Sequence, residues 1–385
     1  MNIEIAKVYS CSMLDVNTYI DSIYSEALSL IKELAAIPSP SHDESRRVAF
    51  LLDWAKKNGL EGAYSDEEKN VIIPYALDKS DKYDLFLAHT DVVFPDTTPF
   101  TVIEEDDRLA SPGIGDDTAN VVALILFARY VIKNKVDTKR GVLFICNSCE
   151  EGRGDLKGSK AICETFRGKI NTFTSFDCDL GKVVDSAVGS ERYEVRVKTE
   201  GGHSYSAFGN KNAIVELARV IMELNSQILP KEGKTTYNFG TIEGGTSVNT
   251  IAQDAMCTYE YRSDVQSSIR AMRKNFNKVI FRAEERGIDI NSTSIGVRPC
   301  SDGTDSSALT SLAAAELEKE GIKVRMMPSS TDCNIPLSQG IRATAFGLVK
   351  DVNPHTRDEY IVPSTLKAGY RAGLNYLLKV VLSDL

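Results

Sequence analysis

Residues 85–117 read LFLAHTDVVFPDTTPFTVIEEDDRLASPGIGDD, and most of the chain can be ordered around them. The apolar run Leu85–Ala88 has the character of a buried strand and stops abruptly at His89-Thr90-Asp91. In an extended chain residues i and i+2 share a face, so His89 and Asp91 point the same way. After a turn-rich loop comes Gly113-Ile114-Gly115-Asp116-Asp117, followed by the apolar helix expected over Thr118–Lys133. A histidine, a nearby carboxylate and a carboxylate pair at a strand-to-helix corner are the ingredients of a metal site with supporting hydrogen bonds.

Outward from this stretch, strands are expected near Val71–Ala76, Asp84–Ala88, Gly141–Asn147 and Thr172–Phe176, between helices at Val16–Ile37 and Glu44–Asn58. Apolar strands alternating with helices indicate an α/β layer fold with a mostly parallel or mixed central sheet flanked by helices. The pattern changes near Gly189. Arg192–Thr199 alternates apolar and charged residues, and elements follow in the order β-α-β-β-α-β, the split unit of a ferredoxin-like layer. Residues 190–297 are therefore read as an inserted α+β domain. Residues 1–189 plus 298–385 form the interrupted α/β domain.

The 385 residues carry a net charge of −9, which argues against a nucleic-acid partner, since phosphates need a positive surface. No apolar run is long enough for a membrane span, and the N-terminus shows no secretory signal. Eight scattered cysteines form no disulfide framework, so a reduced cytoplasmic setting is expected. Cys146 and Cys149 make a formal CxxC, read as two small buried thiols rather than a redox or zinc motif.

Only four histidines occur, at 42, 89, 203 and 355. His42 reads as a surface or satisfied core residue. His89 ends a strand, His203 follows Gly201-Gly202 in the insert, and His355 lies in a loop after the strand at Ala343–Val349. Glu150-Glu151 follows the strand Gly141–Asn147, and Asp177 and Asp179 end another. Adjacent carboxylates repel unless a cation is near, and the C-terminal strand edge of an open α/β sheet is where ligands bind.

These pieces resemble a known family. AHTDVV (88–93), PGIGDDTAN (112–120), CEEGRGDLKG (149–158), GGHS (201–204), GGTSVN (244–249), STDCN (330–334) and HTRDEY (355–360) are similar, in order, to motifs of the two-metal zinc exopeptidases and deacylases. That family includes peptidase T, carboxypeptidase G and acetylornithine deacetylase, and the type is nearest peptidase T. The resemblance implies a catalytic α/β domain with an insert that pairs two chains as a homodimer. It implies that His89 and Asp177 bind one metal, Glu151 and His355 the other, and Asp116 both, through a turn whose Asp116–Asp117 bond is often cis. Three carboxylates and one bridging hydroxide then balance two Zn²⁺; Co²⁺ or Mn²⁺ suit the same donors. Asp91 is expected to bond the far nitrogen of His89, and Glu150 to act as general base. His203 is expected to support the oxyanion, commonly from the other subunit, and Asn249 and Arg262 to hold a substrate carboxylate.

The chain departs from the family pattern at Ala88 and Cys178, where glycine is usual. Asp179 competes with Asp177 as ligand, and the Asp-x-x-x-Gly181 spacing favours Asp177. A thiol at Cys178 beside a ligand suggests oxidation sensitivity, with burial as a small apolar residue the favoured reading. Three functions fit: a di- or tripeptide aminopeptidase, an N-acyl amino acid deacylase or carboxypeptidase using the same site, and a catalytically dead binding module. The complete ligand set and Glu150 favour the first two over the third.

Overall fold

The computed structural model describes residues 15–301 and 303–385; Cys11 and most of the N-terminal segment screened for a secretory signal lie outside them. The chain divides into two compact units, Met1–Asp185 with Gly303–Leu385, and Ser186–Asp302. The second contains the whole of the predicted insert and a few residues on either side.

The first unit is built on an eight-stranded sheet. Its spatial order is Tyr64–Ser65, Val71–Tyr75, Gly141–Asn147, Tyr83–His89, Ile170–Leu180, Arg342–Gly347, Lys182–Ala187, Arg325–Ser329. The central four run parallel, while the flanking Val71–Tyr75 and Lys182–Ala187 pair antiparallel to them. The sheet is thus mixed with a parallel centre. Every residue of Gly141–Asn147 is buried, as expected for a strand covered by helices on both faces. The helix Ala119–Lys133 is buried nearly all round, which accounts for its almost uninterrupted apolar sequence. Phe176 sits at the centre of the core, edge-on to Phe127 and Phe346 and stacked on Phe86. Burying such a ring contributes about 1.5–3 kcal/mol relative to leaving it in water.

Because the central strands are parallel, their C-terminal ends share one edge. His89 ends its strand opposite Asn147, the last residue of the neighbouring strand. Glu150 and Glu151 follow that neighbour immediately. Between Ile170–Leu180 and Arg342–Gly347 the register skips, Ala345 facing Ser175 and Gly347 facing Leu180. The extra residues bulge, and a bulge re-aims side chains; Asp177 lies within it.

A four-stranded sheet that the sequence reading did not anticipate lies beside this edge, in the order Asp351–Val352, Tyr360–Ile361, Arg108–Ala110, Ile103–Glu105. Its strands are two or three residues long, too short to leave a periodic signal. It joins the segment after His355 to the segment before Asp116.

The second unit has a four-stranded antiparallel sheet, ordered Thr235–Gly244, Asp254–Ser263, Gly189–Lys198, Asp289–Arg298. Helices Ala213–Asn225 and Gln266–Glu285 pack on it. Alternate residues of Asp254–Ser263 are buried, so the sheet is covered on one face, and the topology is ferredoxin-like. Its core holds a buried carboxylate, Glu191, which accepts from the hydroxyls of Tyr193 and Tyr261 and from the Arg273 guanidinium. Among the described residues no helix is long and apolar enough to cross a membrane.

Candidate metal site

Five side chains from five separate segments meet at the strand edge of the first unit. His89, Asp116 and Asp177 bring donor atoms within 4.8 Å of one another, and so do Asp116, Glu151 and His355. Asp116 belongs to both groups. Its Oδ1 lies 2.9 Å from Nε2 of His89 and its Oδ2 3.1 Å from Nε2 of His355. Nε2 of His355 is also 3.0 Å from Oε1 of Glu151. One carboxylate therefore spans the two imidazoles.

Each position follows from its local chain. The turn before Ala119–Lys133 starts at Gly113, with φ +70°, a conformation glycine adopts at no steric cost. The Asp116–Asp117 peptide is cis. Asp117 faces inward: its Oδ2 accepts from the backbone N of His89 at 2.9 Å and its Oδ1 from Asn120. His355 has φ +60° and Asn353 φ +59°, so this loop holds two non-glycine residues in the left-handed region.

The electrostatics suit divalent cations. Burial first, and then the Asp116 charge, pushes Glu151 up to about 8 and Asp177 up to about 6. Hydrogen bonds from its ring N–H to Asp116 and Glu151 push His355 up to about 11 against the effect of burial. Burial likewise opposes charge on His89, but Asp117, Asp116 and Asp91 outweigh it and hold the imidazole well above its ordinary range. Among the described residues no Lys or Arg is bonded to Asp116, Glu151 or Asp177. Three crowded, largely buried carboxylates and two imidazoles form a donor set that fits a pair of hard-to-borderline cations.

Asp91 faces the far nitrogen of His89 and has further partners besides. Nδ1 of His89 lies 3.0 Å from the Asp91 carbonyl oxygen and 3.5 Å from its carboxylate Oδ1. The main chain makes the closer contact with the imidazole. The carboxylate also accepts from the backbone N of Glu150 and of Glu151, both at 2.9 Å, and from Ser41 Oγ at 2.7 Å. Asp91 thus orients the glutamate pair. Glu151 has extended φ and ψ and turns towards His355. Glu150 is also buried but lies outside both donor groups.

Asp177 and Asp179 have different partners. Asp179 accepts from Lys350 Nζ at 2.5 Å and from the backbone N of Asp351 at 3.0 Å, while Asp177 joins His89 and Asp116. The formal CxxC is two free, buried thiols. Cys149 donates to Glu44 Oε1 at 3.2 Å, and burial pushes its thiol up to about 12. Cys178 is free but only half-buried, against the fully buried reading, and desolvation with the Asp177 charge raises its thiol.

The insert residues lie in the second unit. His203 is exposed, in a short pairing of Gly202–His203 with Thr250–Ile251, and its Nδ1 accepts from Tyr205 N at 3.3 Å. Asn249 accepts at its carbonyl from Ser204 N and at its side chain from Ser247 Oγ. The Arg262 fork is occupied by Glu260, at 3.0 and 3.1 Å.

Three buried ionisable residues near the site escaped the sequence reading. Arg47 is wholly buried and donates to the carbonyls of Ile37 and Thr90 and to Thr118 Oγ1. Burial lowers it to about 10 despite Asp91 and Glu359. Its spacing with Leu51 and Trp54 along the apolar helix stripe was the available signal. Asp332 is fully buried, accepts from Asn147 Nδ2 at 2.7 Å, and is pushed up to about 7 by burial and then by Glu150. Glu359 is the third, and its bonds to the Asp116 turn are described below. Both acids lie inside quoted motifs, but nothing in their spacing showed what they bond.

With this geometry in place, the sequence pattern of peptidase family M20/M25/M40 is found to match residues 85–379. The chain belongs to that family. A probable carboxypeptidase of Arthroderma otae is 26% identical over 270 residues, 62% of this chain and 59% of the relative, so the match spans about three fifths of that relative's length. A tripeptidase of Staphylococcus aureus superposes with TM-score 0.74 at 20% identity, over 93% of this chain and 98% of that one. A dinuclear metal-binding M20 peptidase of Bacillus subtilis superposes with TM-score 0.63 at 14% identity, over 94% and 99%. These structural likenesses show the shared fold.

Proposed function

We propose that this member of the family is a metal-dependent hydrolase of short peptides, a di- or tripeptide aminopeptidase. The observation that carries the reading is the Asp116 carboxylate spanning His89 and His355. His89, Asp116 and Asp177 would hold one divalent cation, and Asp116, Glu151 and His355 a second. We propose Zn²⁺, with Co²⁺ or Mn²⁺ as substitutes. Cations held there polarise an amide carbonyl and lower the pKa of water.

The chain's own groups do the rest. Glu150 takes the proton of the attacking water as the oxygen bonds to the amide carbon, and returns it to the departing nitrogen as the C–N bond breaks. Asp91 holds the backbone of both glutamates, so the base and the ligand Glu151 are set relative to one another. We keep His203 as oxyanion support, and Asn249 and Arg262 as carboxylate binders, within the proposal. Arg262 would exchange Glu260 for the substrate carboxylate, a bidentate partner of the same kind.

The testing experiment is chelation followed by assay. Removing metal from the purified chain is expected to abolish hydrolysis of Leu-Gly-Gly-type tripeptides, and Zn²⁺ or Co²⁺ to restore it. Activity that survives complete chelation sinks the reading. Faster turnover of N-acetyl amino acids, or release of the C-terminal residue first, would support the alternative deacylase or carboxypeptidase; the similarity to a probable carboxypeptidase keeps that alternative open.

We also propose that the second unit pairs two chains as a homodimer. Its edge strand Thr235–Gly244 is exposed, and Ile242 and Val248 stand in solvent. Sedimentation is expected to give a dimer. A fully active monomer would remove the pairing and any role for His203 across subunits. The described cysteines are all free, which supports a cytoplasmic setting.

A further inference from the structure

We infer that Glu359 is a positioning residue that ties the two ligand-bearing segments together, so that Asp116 and His355 reach the cations as one preassembled unit. The inference rests on the reading of the five side chains as a cation site. It concerns a residue that binds no cation itself.

Glu359 is 1% exposed. Its Oε2 accepts from the backbone N of Gly113 at 2.8 Å, and its Oε1 accepts from Gly115 at 2.8 Å and Asp116 at 3.0 Å. Three consecutive-turn N–H groups converging on one carboxylate make an anion nest, and the turn they belong to presents Asp116. The backbone of Glu359 continues the tie: its carbonyl accepts from Ser111 N at 3.2 Å, and the next two residues, Tyr360 and Ile361, pair with Ala110 and Leu109 respectively. Four residues upstream of Glu359 stands His355, in a loop whose backbone is left-handed at Asn353 and His355. The outer side of that loop is fastened by Arg357, whose fork holds Asp96 at 2.7 and 3.0 Å and lies over the Phe94 ring. One exposed and one buried anchor thus follow the ligand within four residues.

The chemistry demands a carboxylate here. An ionised carboxylate only accepts, through about four lone-pair sites, and three of them are used by the turn. A glutamine at this position would turn an NH₂ towards at least one of the same N–H donors. An aspartate would be one methylene too short to reach all three. The glycine at 115 belongs to the same arrangement, because a Cβ there would fall 2.3 Å from Asp351 Oδ1, pushing the turn off its carboxylate. The bond between Glu359 and the turn is therefore the step at which placement of the Asp116 side chain is decided.

The test is Co²⁺ titration of the metal-stripped full-length chain, read by the cobalt absorption band, with unfolding midpoints measured in parallel. Wild type, Glu359→Gln and Glu359→Asp are compared with Glu191→Gln, which removes an equally buried carboxylate of the second unit. Glu359→Gln is expected to weaken Co²⁺ binding by about 10–100-fold, the range for residues that orient ligands, and to alter the band. Glu359→Asp should fall between it and wild type, and Glu191→Gln should keep wild-type affinity even where its midpoint drops as far. Two Co²⁺ bound by Glu359→Gln as tightly as by wild type overturns the inference while leaving the cation site intact. An equal loss in Glu191→Gln overturns it too, since the effect would then be general instability. If Glu359→Gln does not fold, Glu359→Asp decides by the same criteria. A wild-type chain that binds fewer than two ions overturns the site reading itself, and the inference with it.

Discussion

Replacing Glu150 by glutamine is expected to reduce peptide hydrolysis by about 10²–10⁴-fold, the usual contribution of a positioned general base, while metal content stays near two equivalents. That loss corresponds to roughly 3–5 kcal/mol of transition-state stabilisation. The separation of the two effects follows from the geometry. Glu150 lies outside both donor groups, so its carboxylate charge is not needed to hold a cation. Its backbone N is bonded to Asp91, and glutamine keeps that N–H, so the clamp on Glu151 survives. Glutamine also keeps the side-chain volume in a buried position, which limits any cavity cost. What it cannot do is take a proton. The variant is to be assayed on a tripeptide alongside metal analysis of the same sample. Wild-type rates would remove Glu150 from the base role. Loss of metal in step with loss of rate would make it a ligand instead.

The full set of five proposed ligands came from the family resemblance, but three of them also leave local marks, because they sit where a strand ends or a helix begins. His89 closes an apolar run; Glu150-Glu151 follows another; Asp116 precedes an apolar helix. The strands and helices of the second unit were legible for the same reason, as the alternation in Asp254–Ser263 matches a sheet covered on one face. What stayed hidden is what depends on tertiary contact alone. Nothing in the sequence around Asp91 shows that a carboxylate beside an imidazole also accepts two backbone N–H groups fifty-nine and sixty residues away. Glu359 bonds a turn more than 240 residues earlier, through a sheet whose strands are too short for periodicity to register. Arg47 was missed for a related reason: a helix stripe containing one cation still looks amphipathic, and only the fold shows that it points inward, bonding Thr90 and Thr118.

Asp116→Ala is expected to lose both cations, whereas Asp177→Ala should retain about one. Asp116 is the single residue common to both donor groups; without it each group falls to two residues, His89 with Asp177 and Glu151 with His355, too few to enclose a tightly held divalent ion. Removing Asp177 leaves Asp116, Glu151 and His355 complete. The turn itself should persist in Asp116→Ala, because Glu359 grips backbone N–H groups that alanine also carries. The change also relieves repulsion: Asp116 helps raise Glu151, Asp177 and Asp351 in the metal-free chain, which offsets the bonds lost by the two imidazoles. Hydrolysis by Asp116→Ala should fall by at least about 10³-fold, because the several kcal/mol supplied by carbonyl polarisation disappear with the metals. Metal content after dialysis, measured on both variants and wild type, checks the ordering of two, one and none. If Asp116→Ala keeps two equivalents, the carboxylate that touches both histidines is not what joins the two sites, and the dinuclear reading fails at its centre.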